Sequence, residues 1–350
     1  MGARWRDFWA RARGRPAEPT DAQAAFRAAL LCALDQDYAA AEAHLAGIAQ
    51  RDSREIDAYL ALGRVFRLRG EFARALRVHQ NLLLRSDLDD VQRMLALRGV
   101  AEDYRTGGFL DRSAESWEQL LAERPRDAAA LGALVRIHRE AGRPERALEM
   151  AERLHRVTDA GEEGKRTEAA LEIEIAERAR KLGRADDARR SVRRALRRDR
   201  RSAAAHALLG EIEVERGRSK RAVAAWQRAL ELDRRAAPEL FGKLRSGFAA
   251  LGRAREFEPF LRERIQLDPA DPAPRLALAR VLLERGEGDG AAVELRALLA
   301  QRPQELEAHA ELGRALAAAG RTDEACAAWA AFGDRVTQSG ALRPRDRGLE

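Results

Sequence analysis

Cysteine, lysine and aromatic residues are all scarce in this 350-residue chain, and each shortage excludes something. Cys32 and Cys326 are the only cysteines and lie near opposite ends, which rules out a disulfide framework and a C-x-x-C metal knuckle. Aromatic residues make up 5% of the chain. A β-sandwich or β-barrel, which draws on aromatic and β-branched residues, is therefore excluded. No apolar run approaches the roughly 20 residues that span a bilayer. Charges interrupt the N-terminus throughout, so no secretory core is legible there. These absences predict a cytoplasmic protein.

Alanine, leucine, arginine and glutamate fill the space, a long-helix composition with regularly spaced apolar residues that argue against disorder. The net charge is +7, and of the 64 basic residues four are lysine (Lys165, Lys181, Lys220 and Lys243). Arginine in such excess points to acidic partners in general. The organising signal is a repeat of about 34 residues. Gly70, Gly108, Gly142, Gly183, Gly217, Gly252, Gly286 and Gly320 each sit between two apolar-periodic stretches, and Gln36 occupies the same place one period earlier. Nine helix-turn-helix units follow, with insertions around Ser86–Asp90 and Thr158–Lys165. Five residues after the turn stands a small residue: Ala41, Ala75, Ser113, Ala147, Ala188, Ala222, Ala291 or Ala325. Nine residues after it most units carry a bulkier apolar group, including Leu45, Trp117, Val192, Trp226, Leu261 and Trp329.

The pattern resembles the tetratricopeptide repeat (TPR). Residues 59–75, 206–226 and 312–325 carry the likeness best, and repeat seven departs from it with Phe257 where alanine is usual. The expectation is an all-α fold, an α-solenoid superhelix of about nine repeats over residues 20–337. A basic aromatic segment (1–19) precedes it and a disordered tail (338–350) follows. One helix pair cannot bury its own apolar stripe, so neighbouring pairs must stack.

No catalytic constellation is legible, so no enzyme, cofactor or metal is expected. None of the six histidines belongs to an H-E-x-x-H pair, and Arg285–Gly290 has glycines without the lysine of a phosphate loop. His79 and His155 read as packed or surface imidazoles on second helices. Three features could bind partners. In repeats two to four, positions three and six residues before the turn glycine hold Arg64, Arg67, Glu102, Arg105, Arg136 and Arg139. With Arg98 these arginines form a candidate groove for acidic peptide segments. Arg184–Arg201 holds nine arginines against three aspartates, and Arg190, Arg193, Arg194 and Arg197 are expected on the outer face, open to anionic lipid or nucleic acid. No aromatic is interleaved there, so nucleic acid is the weaker alternative. Trp5, Phe8 and Trp9 share one face of a possible N-terminal helix that either lies on an anionic membrane or caps repeat one.

A closer resemblance lies in residues 55–160. Phe66-Arg67 with Arg69-Gly70-Glu71, then Arg77-Val78-His79-Gln80, and the extra length at Ser86–Val91 are similar to the lipopolysaccharide assembly protein B family. That resemblance implies a bacterial scaffold at the inner membrane, which presents the deacetylase of lipid A synthesis to a membrane-bound AAA protease. The family's transmembrane helix and rubredoxin-like zinc module have no counterpart in these residues. The alternative function is a general adaptor for a secretion, pilus or motility complex.

Overall fold

In the computed structural model, which describes residues 22–339, eighteen α-helices follow one another in antiparallel pairs. They group into two compact units, Met1–Leu171 and Glu172–Glu350. The first contains α1 (Ala22–Leu34), α2 (Tyr38–Arg51), α3 (Ile56–Leu68), α4 (Phe72–Leu83), α5 (Asp90–Thr106), α6 (Leu110–Glu123), α7 (Ala128–Glu140) and α8 (Pro144–Thr158). The division falls inside α9 (Gly161–Lys181). The second contains α10 (Ala185–Arg198), α11 (Ala203–Glu215), α12 (Ser219–Leu232), α13 (Ala237–Ala250), α14 (Phe257–Leu267), α15 (Pro272–Glu284), α16 (Gly288–Gln301), α17 (Leu306–Ala318) and α18 (Thr322–Ser339). Residues 1–19, with Trp5, Phe8 and Trp9, and the tail from 340 onward lie outside the described residues.

The turns fall where the period puts them. All eight turn glycines have positive φ, and so does Gln36 at 62°, the non-glycine in the aligned position. In each turn the following N–H reaches back five residues, as from Asp37 to the Cys32 carbonyl (2.8 Å) and from Glu71 to Phe66 (2.9 Å). That bond closes the C-terminus of the first helix and requires the left-handed residue before it. The second insertion becomes a left-handed bend at Asp159 and Gly161 followed by the 21-residue α9. The first becomes a loop that ends in a capping box, Asp89 with Gln92, at the start of α5.

The predicted small positions are the tightest in the structure: Ala41, Ala75, Ser113, Ala147, Ala188, Ala222 and Ala291 are fully buried. A second close approach was not predicted. Gly63, Gly210 and Gly313 on first helices receive the flat rings of His79, Trp226 and Trp329 from their partner helices, and a Cβ at any of them would collide with that ring. Trp329 is 43% exposed because no further described helix covers its other side. Repeat seven departs as its sequence does. A 3-10 turn (Ala254–Glu256) replaces the start of the second helix, and buried Phe257 and Phe248 join half-buried Phe260 in an aromatic group with centroids 5.9–6.2 Å apart.

Candidate functional site

The arginines of the candidate groove stand on three neighbouring first helices, α3, α5 and α7, all in the first unit. They are not equivalent. Arg67 donates through Nη1 to Asp103 Oδ1 (2.7 Å) and to the Gly99 carbonyl (3.2 Å), and Asp103 also meets His79 Nδ1 at 2.5 Å. Asp103 is wholly buried and His79 nearly so. Gly63 and Gly99 close on the imidazole from both sides. This His–Asp–Arg cluster, with His79 and Asp103 buried and Arg67 partly exposed, ties α3, α4 and α5 together. Arg98 pairs with Asp127, the residue capping α7. Burial works against the Asp127 charge, but the Ala130 N–H and the Arg98 guanidinium hold its carboxyl below the usual range. Arg105 donates to Glu102 (3.0 Å) and reaches Glu140 (3.4 Å). Outward-facing positions are held by Arg64, by Arg136 (64% exposed, 3.7 Å from Glu102) and by Arg139. The acidic residues woven between the arginines make this face mixed in charge, with Arg64, Arg136 and Arg139 its most exposed arginines.

The second unit carries a cleft that the sequence reading missed. Pro238, Phe241 and Gly242 of α13, with Pro272, Ala273, Leu276 and Ala277 of α15, line an open groove of about 330 Å³. Its rim is charged: Arg245 forks onto Glu284, and Arg280 bonds Glu307 and Glu311. The Arg245 guanidinium holds the Glu284 carboxyl below its ordinary range. Small side chains leave the space, since a Cβ on Gly242 would meet nothing within 4 Å. One signal was available: Pro238 and Pro272 each open the first turn of their helix, fourteen residues before the turn glycine. An apolar floor with a few convergent polar groups is the ordinary form of a binding cleft.

On α10 the arginines divide. Arg194 is half-exposed but engaged: its Nε donates to Glu172 (2.6 Å), a carboxylate 1% exposed. Arg189 likewise bonds buried Glu213 (2.5 Å) and Arg198 bonds Glu172 (3.1 Å). A buried carboxylate needs a cation beside it, and arginine is the residue within reach. Arg190, Arg193 and Arg197 do face outward. His155 lies against Glu168 (2.7 Å). No described helix is long and apolar enough to cross a membrane.

Comparison with known proteins accords with the repeat. Profiles of the tetratricopeptide repeat match residues 100–163, 173–239 and 249–305. The chain is 29% identical over 255 residues to Lipopolysaccharide assembly protein B of Escherichia coli, covering 73% of this chain and 64% of that protein. The protein of the same name in Haemophilus influenzae is 29% identical over 256 residues, covering 73% and 63%. The chain thus spans less than two thirds of the length of these curated relatives. A tetratricopeptide repeat protein from Parabacteroides merdae aligns over 84% of this chain and 98% of its own, at 13% identity and a TM-score of 0.41.

Proposed function

Because the chain belongs to the tetratricopeptide repeat family and is distantly related to Lipopolysaccharide assembly protein B, we propose that it is a non-catalytic scaffold serving lipopolysaccharide assembly. The relationship over 73% of the chain is the observation that carries the role in assembly. The first-helix surfaces support the mode of action. Arg64, Arg136 and Arg139 suit the carboxylates of an acidic segment. The Phe241–Leu276 cleft suits an apolar side chain of an extended one, while its charged rim fixes register. The partners to seek are those the resemblance implies, the lipid A deacetylase and a membrane-bound AAA protease.

A crosslinked affinity capture of the full chain from its native host, read by mass spectrometry, tests this. Recovery of the deacetylase or the protease is expected. Arg64→Glu with Arg136→Glu, or Ala277→Trp filling the second cleft, is expected to reduce that recovery about thirtyfold, as loss of an interface hot spot does. A coherent set of secretion, pilus or motility proteins would replace the lipopolysaccharide role with that of a general adaptor. Capture unchanged in both variants would remove these surfaces from the account.

A further inference from the structure

The repeat provides its own control for the arginine-rich helix α10. Seven, ten and fourteen residues after the turn glycine, this helix has Arg190, Arg193 and Arg197. The same positions hold Ala224, Gln227 and Glu231 on α12, Glu115, Glu118 and Ala122 on α6, and Val293, Arg296 and Ala300 on α16. No other second helix has arginine at all three. Packing does not account for them, because the structural demand on α10 is met by Arg189, Arg194 and Arg198, which neutralise buried Glu172 and Glu213. Each arginine doublet therefore sends one guanidinium to a buried carboxylate and leaves one in solvent.

Of the outward set only Arg190 is paired with a carboxylate among the described residues. Asp187 pairs with Arg190, Asp186 is taken by Arg216, and Asp199 accepts from the Arg201 backbone N–H (2.9 Å). Arg193 and Arg197 have no carboxylate partner among the described residues, and exposed Arg200 and Arg201 continue the charge past the helix end. Spacings of three and four residues put the three side chains on one face, over about 10 Å of helix.

We propose that this stripe is a docking surface for an anionic phospholipid bilayer. A protein partner would need an apolar centre, and the large apolar residues of α10 are buried Val192 and half-buried Leu196. A single-stranded nucleic acid would need aromatic rings for stacking, and α10 has none. A row of long, exposed cationic side chains along one helix face fits a plane of phosphates, each arginine contributing electrostatic attraction that salt weakens.

Flotation of the full chain with vesicles of phosphatidylcholine, with and without phosphatidylglycerol, tests the assignment. Binding only to the anionic vesicles, falling as salt rises, is expected. The combination Arg190→Gln, Arg193→Gln and Arg197→Gln is expected to lower the partition coefficient on the order of a hundredfold while leaving the melting temperature unchanged. The combination Arg228→Gln, Arg262→Gln and Arg296→Gln, which removes the same charge from other second helices, is expected to retain most binding. Equal loss in both combinations would assign the effect to net charge and overturn the proposal. So would vesicle binding that survives the first combination, or tighter stripe-dependent binding to duplex RNA or DNA than to vesicles.

Discussion

His138 illustrates how a single residue carries a measurable property of the fold. It lies on α7 with 1% of its surface exposed, and its Nδ1 has no hydrogen-bond partner. Burial first, and the nearby Arg146 guanidinium second, push its pKa below the ordinary value of 6.5. The folded protein therefore keeps this imidazole neutral over a range where the unfolded chain takes up a proton. Stability from this source is fully present above about pH 6.5 and is lost as the pH falls below it. His206 acts in the same direction through burial, opposed in part by its bond to the Arg200 carbonyl. The urea midpoint is expected to drop between about pH 7 and pH 5.5, above the range where the carboxylates titrate. His138→Phe should flatten that dependence, and an unchanged slope would exclude His138 as its source.

Among elements, the helix pair is decided by where side-chain bulk is absent. Gly210 of α11 accepts the Trp226 indole, and the Trp226 Nε1–H donates to the Ala207 carbonyl (3.1 Å), which pins the ring in place. Gly210→Ala drives a methyl group into a ring that cannot retreat and is expected to destabilise the protein by about 1–3 kcal/mol. Gly47 of α2 is also a mid-helix glycine, but a Cβ there meets nothing within 4 Å. Gly47→Ala should instead stabilise by up to about 1 kcal/mol through helix propensity. Thermal melts of the two variants should move in opposite directions. A shared direction would mean that propensity, not ring packing, governs both sites.

For the whole molecule, a repeat protein's stability is close to a sum of repeat and nearest-neighbour contributions. Local damage should therefore stay local. Asp103→Ala removes the buried carboxylate shared by Arg67 and His79 and leaves the partly buried Arg67 without its ion-pair partner, expected to cost about 3 kcal/mol. Hydrogen exchange followed by mass spectrometry should then speed up in α3, α4 and α5, with protection in Glu172–Glu350 unchanged. Equal acceleration in both units would instead describe a chain that unfolds all at once.

The period, the nine turns and the small buried positions were legible in the sequence because each rests on chemistry within one repeat. A left-handed backbone residue, a missing side chain or a helix stop acts on its immediate neighbours, which is why even Gln36 could be placed. The arginines were not legible in that way. Arg67 and Arg194 read as surface groups, yet their carboxylates lie 36 and 22 residues distant. The Phe241–Leu276 cleft was equally hidden, since it depends on small residues of α13 and α15 leaving space beside each other. Composition and spacing determined that this is a helical repeat protein rich in arginine. Only the tertiary structure decided which arginines are structural cations and which remain for a partner, because that choice depends on which carboxylate the neighbouring helix buries within reach.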